Sequence, residues 1–557
     1  MLRRHFLLAL VLPVILFSGC TVREGLAAAG CLGESNGPET VMVPMRDGVK
    51  LATDIYVPDG ENQAFPVLVM RTVYGRGGQA MNTTGEACMG RGYVFVSQDT
   101  RGRGDSEGTE NTFSDDGWGE RQDGADLMAW IGAQPWCNGK IGTWGGSALG
   151  ITQVLMAGAC QAITCQSIQV ASSNMYDQLS YQGGVFRKAL CEDWLEMQKI
   201  PYMVDTWHSH PTYDDFWKLL NAEPRAPQVT APAVHVGGWW DIFCQGTINN
   251  FTTRQYQGGP GAKGNQKLIM GAWPHGPRKE VGDLVLKDNF AFDFGAYEQR
   301  FQDYWLKDVQ NGIMQEPVVN YYTLGDVTNP DAPGNEWRTA NDWPPFPTVE
   351  TAYFLHGDSS LSTAPATEPE NSLSYVYDPA NPCPTHGGAE LTLPAGPFDQ
   401  QELGKRSDVL VFLSAPLEAP LEVTGNVRVR LFVSTDAPDT DFTAKFLDVY
   451  PDGRQYLMLD NIRRLKFRNG YDQAEPLAPG TVGEVVIDLW SISLILDKGH
   501  RIGLHVSSSN YPRFEKNPNT GEDFPGTETR AAANLIHLDQ SHPSALLLPV
   551  HSTSQFK

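Results

Sequence analysis

The stretch Ile141-Gly142-Thr143-Trp144-Gly145-Gly146-Ser147-Ala148-Leu149-Gly150 decides how this chain is read. A short strand-like run starting at Ile141 meets good helix formers from Leu149 to Cys160, so Ser147 falls where a buried strand turns sharply into a helix. Such a turn strains the backbone of its serine, and larger neighbours than glycine would collide with the flanking strand and helix. That is the setting of a nucleophile elbow. The spacing departs from G-x-S-x-G, because the second glycine is Gly150, one residue late. Gly-Gly-Ser also occurs in ordinary loops, so the segment needs partners before it means chemistry.

Two later strand ends supply them. Pro232 to Val236 reads as a buried strand that runs through Gly237-Gly238-Trp239-Trp240 into Asp241. Lys267 to Met270 is another short apolar strand, and its exit, Gly271-Ala272-Trp273-Pro274, delivers His275. The chain order serine, acid, histidine is that of α/β-hydrolases. A serine hydroxyl is a weak nucleophile until an imidazole takes its proton, and a carboxylate must hold that imidazole in the right tautomer. Taken singly, Asp241 could cap a helix and His275 could be a turn residue. Their joint order behind an elbow favours catalysis. His235 lies inside a strand, and His208 and His210 fall in a different segment.

The surrounding pattern gives the architecture. Val41 to Met45 and Val49 to Val57 flank an Asp47-Gly48 turn and predict an antiparallel entry pair. Strands at Val67 to Met70 and Tyr93 to Gln98, a helix around Trp118 to Trp130, the elbow strand and Ile168 to Ala171 then alternate as in a parallel, doubly wound sheet. Residues 172–225 lack strand periodicity, are rich in Trp, Tyr and charge, and read as a helical cap inserted over the site. From about Thr351 the texture changes to period-two runs such as Val427-Arg428-Val429-Arg430-Leu431, broken by Pro- and Gly-rich turns, which predict an all-β domain. The hydrolase domain is therefore placed at 37–171 and 226–350, the cap at 172–225 and the β-domain at 351–557.

The stretches VMRTVYGRGG, QDTRGRGDSEG, GTWGGSALGITQ, GGWWDIF and GAWPHG resemble the bacterial cocaine-esterase and Xaa-Pro dipeptidyl-peptidase family, the CocE/NonD serine hydrolases. The resemblance continues through PLEVTGNVRVRLFVSTDAPDTDFTAKFLDVYPDG and IDLWSISLILDKGHRIGLHVSSSNYPRFEKNPNTG, nearly to the end of the chain. It implies an α/β-hydrolase core with an inserted helical cap and a C-terminal jelly-roll sandwich, and it makes the late glycine of the elbow a match. Carried over residue by residue, it implies Ser147 as nucleophile, Asp241 as orienting acid and His275 as base. The oxyanion hole would be the Tyr74 hydroxyl and the Ala148 N–H. One such donor is typically worth about 3 kcal/mol. Trp144, Trp239, Trp240 and Trp273 crowd the triad segments and suggest an aromatic acyl pocket. Acids in the cap, Glu192, Asp193, Glu196, Asp205, Asp214 and Asp215, are candidates for holding a substrate ammonium, although a solvated charged face explains any one of them. The α-amino-acid ester hydrolases carry a carboxylate close behind the nucleophile, where this chain has Ala148-Leu149-Gly150.

Composition bounds the remainder. At 557 residues the chain exceeds a single core, and its net charge of −23 disfavours nucleic acid or an anionic membrane surface as partner. Arg3 and Arg4 precede an apolar run, Phe6 to Phe17, and then Ser18-Gly19-Cys20. This reads as an export signal over 1–20 with a lipobox-like end, Cys20 being the lipidated residue, or as a simple signal cut after Ala27-Ala28-Ala29. The other eight cysteines permit disulfides without fixing a pairing. No spacing suits a metal ligand set, and no cofactor is expected. The sequence thus predicts an exported, cell-envelope serine hydrolase that cleaves an ester or amide in a small molecule or short peptide through an acyl-enzyme. An Xaa-Pro dipeptidyl-peptidase is the alternative, and a catalytically degenerate surface binding protein a further one.

Overall fold

In the computed structural model, residues 37–60 and 62–551 are described, so the signal-like segment, Cys20 and Cys31 lie outside the described residues. The first sheet has ten strands: β1 (Glu39–Pro44), β2 (Lys50–Tyr56), β3 (Phe65–Thr72), β4 (Val94–Asp99), β5 (Cys137–Gly146), β6 (Ile163–Gln169), β7 (Ala233–Gly238), β8 (Gln266–Gly271), β9 (Val319–Thr323) and β10 (Glu336–Ala340). Their order is β1-β2-β4-β3-β5-β6-β7-β8-β9-β10. From β4 to β9 neighbours run parallel, while β1-β2-β4 at one edge and β9-β10 at the other are antiparallel. Every residue of β3, β4, β7 and β8 is buried, as expected of strands covered on both faces.

Helices α1 (Gln79–Gly90), α2 (Asp123–Gly132) and α3 (Ala148–Met156) follow β3, β4 and β5. Between β6 and β7 the chain forms short helical turns and α4 (Lys188–Met197), α5 (Met203–His208) and α6 (Asp215–Leu219), with no sheet strand. Helices α7 (Cys244–Gln257) and α8 (Phe294–Lys307) complete the layer. Sequence reasoning raises a helix after Asp241 only as something that residue could cap, and gives it no bounds; the segment 244–257 is dense in Thr, Asn and Gln, whose side chains compete for backbone groups. The Thr253 hydroxyl does so here, donating to the Asn249 carbonyl at 2.7 Å. Tertiary burial of Ile248, Phe251 and Arg254 nevertheless sustains the helix.

Residues 348–551 build the second, eleven-stranded sheet, a C-terminal β-domain. The strand 421–435 pairs antiparallel with 483–496, 532–537 and 545–551, and 441–449 pairs with 455–464 and 501–507. The two sheets share a continuous apolar core, in which Trp239, Trp240 and Tyr321 meet Phe442, Met458 and Leu494. Polar groups lock the same junction. Leu324 N–H donates to Ser493 O at 3.0 Å and Ile495 N–H returns to Leu324 O at 2.9 Å. His500 bridges Asp448, at 2.7 Å, and Asp326 of the loop after β9, at 3.4 Å. The seven described cysteines, Cys88, Cys137, Cys160, Cys165, Cys191, Cys244 and Cys383, are all free thiols.

Candidate active site

Ser147 sits between β5 and α3 with φ 57° and ψ −126°, a strained conformation for a residue with a side chain. Its N–H donates to Gln169 O at 3.0 Å, and its carbonyl accepts the N–H groups of Gly150 and Ile151 at 2.8 and 2.9 Å. The late glycine has a packing reason: a Cβ on Gly150 would lie 2.8 Å from Ala171 Cβ and 2.9 Å from Gln169 O, so only glycine lets α3 cross β6 this closely. Gln153 braces the turn from behind, donating to Gly145 O at 2.9 Å and accepting from Thr143 at 2.7 Å.

The exits of β7 and β8 bring the acid and the imidazole to this serine. Trp240 N–H donates to Trp273 O at 3.0 Å, and a Cβ on Gly238 would lie 2.3 Å from that same oxygen, so the two turns are pressed together. Asp241 is fully buried. Its Oδ1 accepts the Phe243 N–H at 2.8 Å, and its Oδ2 lies 2.5 Å from His275 Nδ1. His275 Nε2 is 2.9 Å from Ser147 Oγ. A continuous acid–imidazole–hydroxyl chain results, its carboxylate shielded from water. Tyr74, just after β3, has its hydroxyl within hydrogen-bonding reach of Ser147 and receives a bond from Trp194 Nε1 at 3.3 Å. Burial raises its pKa above the ordinary tyrosine value, keeping the phenol protonated and able to donate. Ala148 opens α3, at a position whose N–H has no acceptor within the helix. Among the described residues no group of three or more His, Cys, Asp or Glu is placed to hold a metal ion.

Sequence comparison gives this geometry a context. The model of the X-Pro dipeptidyl-peptidase (S15 family) matches residues 47–201 and 196–277, and that of the X-Pro dipeptidyl-peptidase C-terminal non-catalytic domain matches 311–547. A cocaine esterase of Rhodococcus sp. (strain MB1 Bresler) is 30% identical over 591 aligned residues, covering 93% of this chain and 99% of that protein. The chain belongs to the CocE/NonD family of serine hydrolases. The family acts on ester or peptide bonds, and the fold agrees with solved structures. An aminopeptidase from a marine sediment Thaumarchaeota archaeon superposes with a TM-score of 0.80 at 24% identity, over 95% of this chain and 100% of that one. An α-amino acid ester hydrolase superposes at 0.78 and 23%, over 94% and 98%.

Beside Ser147 lies a small pocket, lined by Ala148 and Ile151 of α3, Phe113, Leu179, Leu190, Cys191, Trp194 and Trp207, Ile242 and Phe243, and Leu391. Its aromatic character comes from residues other than the four tryptophans expected from sequence. Trp240 points into the domain junction, donating to Met458 O at 3.0 Å, and Trp239 turns toward β9, donating to Tyr322 O at 2.7 Å. Trp273 donates to Asn289 O at 3.2 Å and packs on Phe294 and Trp337. Trp144 lies beneath the sheet against Glu298, whose burial pushes its carboxyl up to about 8. The tryptophans next to triad residues in sequence alternate away from the site, as strand and turn geometry requires. Trp194 and Trp207 come from the cap, and no local signal in the sequence marks them.

Two further contributors escape sequence reasoning. Leu391 reaches the pocket from the segment preceding strand 410–414 of the β-domain, and its neighbour Glu390 is buried against Arg513, with Arg513 Nε 3.1 Å from Glu390 Oε1. Arg187, fully buried, donates to Gln178 O at 2.8 Å, Ile242 O at 3.0 Å and Ala389 O at 3.4 Å. One guanidinium thereby ties the cap, the residue after Asp241 and the Leu391 segment together. Burial pushes it down to about 10, still cationic at neutral pH. Of the histidines set aside from sequence, His235 is buried in β7 against Gln266 at 3.0 Å, and burial pushes it down to about 3, a neutral core residue.

Proposed function

We propose that this protein is an esterase that hydrolyses neutral, aromatic or bulky apolar acyl esters through an acyl-enzyme on Ser147. His275 takes the serine proton as Oγ attacks the carbonyl, and Asp241 holds the imidazole with Nδ1–H toward its carboxylate and stabilises the imidazolium. The Tyr74 hydroxyl and Ala148 N–H receive the oxygen that becomes negative in the tetrahedral intermediate. His275 then returns the proton to the leaving alcohol, and water repeats the sequence to release the acid.

The observation that carries the substrate reading is the pocket beside Ser147, whose lining contains no acidic or basic side chain. The cap acids that could have held a substrate ammonium are elsewhere: Glu192 pairs with Lys188 at 2.7 Å, Asp214 caps α6 and bonds His210, and Asp215 is exposed. Burying an ammonium in an apolar pocket without a partner is costly. The family models favour an Xaa-Pro dipeptidyl-peptidase as the second reading. A panel of p-nitrophenyl benzoate and acetate beside Gly-Pro and Ala-Pro p-nitroanilides separates the two. The esterase reading expects neutral aryl esters to be cleaved with the higher kcat/KM; a strong preference for free-amine Xaa-Pro anilides, lost on acetylation, would overturn it. Export, with Cys20 as a lipid-modified residue at the cell envelope, is proposed on the amino-terminal sequence pattern, and metabolic labelling with a palmitate analogue, lost in Cys20→Ala, tests it.

A further inference from the structure

We infer that Trp194 is a positioning residue for the oxyanion donor Tyr74, so that the inserted cap completes the oxyanion hole. The inference rests on the reading of Tyr74 given above. A phenolic O–H prefers the plane of its ring and can point to either side. The Trp194 indole N–H donates to the Tyr74 oxygen at 3.3 Å, and so occupies one side of it. The phenolic proton is left the other side, toward Ser147, whose hydroxyl lies within reach. An accepted bond also polarises the O–H, and such chains strengthen one another in a water-poor site.

The indole is held for this task. Trp194 is 8% exposed, and its ring stacks on Phe113 with centroids 5.9 Å apart and planes 17° from parallel. Four residues on, at the C-terminus of α4, Gln198 lies on the same helix face. Arg103 grips it there: Nη1 donates to Gln198 O at 2.8 Å and Nη2 to its side-chain oxygen at 3.2 Å, while Nε donates to Val73 O at 2.9 Å. Val73 immediately precedes Tyr74. One guanidinium therefore fixes the helix that carries the donor relative to the backbone that carries the acceptor.

A pocket wall and a positioning residue predict different kinetics. Trp194→Phe keeps an aromatic ring and removes the N–H. Both acylation and deacylation pass through an oxyanion, so kcat reads the loss whichever step is slower. With p-nitrophenyl acetate, whose acyl group is too small to rest on the indole, the substitution should lower kcat about threefold to tenfold, as expected for one neutral hydrogen bond. The same factor should appear with p-nitrophenyl benzoate. In a Tyr74→Phe background the substitution should change kcat by less than about twofold, because the oriented hydroxyl is already gone. An equal loss in both backgrounds, or a loss confined to the benzoate as a rise in KM, would overturn the inference and leave Trp194 a wall. If Tyr74→Phe itself leaves kcat unchanged, the oxyanion role of Tyr74 fails, a result distinct from failure at Trp194 alone. Should Trp194→Phe not fold, Arg103→Gln, which releases the clamp without entering the pocket, carries the same cycle.

Discussion

His275 and His500 are both bonded through Nδ1 to a buried aspartate, Asp241 at 2.5 Å and Asp448 at 2.7 Å. They differ in what the second nitrogen meets. His275 Nε2 faces a serine hydroxyl at 2.9 Å on the wall of an open pocket, so the imidazole can take a proton and give it back. His500 Nε2 faces a second carboxylate, Asp326, at 3.4 Å, with the Tyr450 ring at 4.3 Å and Asp497 beyond. Two facing carboxylates favour the protonated form of this histidine, which joins the loop after β9 to the β-domain. A His–Asp pair is therefore no signature of catalysis by itself; the group on the other nitrogen decides.

Exchanging the partners' consequences breaks the comparison where it is wrong. The largest effect belongs to Ser147→Ala and Asp241→Asn, each of which should lower ester kcat by about 10⁴ with the melting temperature little changed. Retention of roughly a tenth of the activity would remove either residue from the mechanism. At the other pair the signs reverse. His500→Leu leaves two carboxylates facing one another in a buried junction and should cost about 3–5 kcal/mol of stability, read by urea unfolding, with kcat unchanged on the folded protein. Tyr74→Phe returns to catalysis, with kcat down about 10²-fold and KM for a neutral ester little altered. A raised KM with kcat intact would make Tyr74 a pocket wall.

A pH series sharpens the contrast further. Burial opposes protonation of His500, but the hydrogen bond and charge of Asp448, with Asp326 adding, outweigh it and raise the group above its ordinary 6.5. A group raised on folding contributes stability that is complete below its unfolded value and is lost as pH climbs through the folded one. The stability gap between wild type and His500→Leu should thus be wide near pH 6 and narrower near pH 9; a gap that widens with pH would contradict a charged His500. The smallest effect is expected at Leu391, which the β-domain lends to the pocket. Leu391→Ala should reduce the preference for benzoyl over acetyl esters by about tenfold or less, since a few buried methyl groups are involved.

The same contrast explains how much of the molecule could be read from its residues. Ser147, Asp241 and His275 were legible because each follows a short apolar strand, and a strand's end fixes where the next side chain emerges. The parallel sheet and the period-two β-domain were legible for the same reason, a repeating pattern in a local run. The pocket was not. Trp194 and Trp207 lie on cap helices and Leu391 in another domain, so their meeting depends on tertiary packing that no window of sequence encodes. Proximity in sequence misled in the opposite direction: Trp239 and Trp240 adjoin Asp241, yet their indoles are bonded to Tyr322 O of β9 and Met458 O of the β-domain, and neither lines the pocket. The Asp326–His500–Asp448 bridge was equally hidden, its three members being spread over 174 residues.

The central claim is that Ser147 is the nucleophile, activated by His275 in the resting enzyme. Reaction of the folded protein with a fluorophosphonate, followed by peptide mass mapping, tests it most directly. One phosphonyl group per chain should appear, on the peptide containing Gly142–Gly150, and labelling should vanish in Ser147→Ala and slow severely in His275→Ala. An adduct on another residue, or no stoichiometric adduct in protein shown to be folded, would contradict the account.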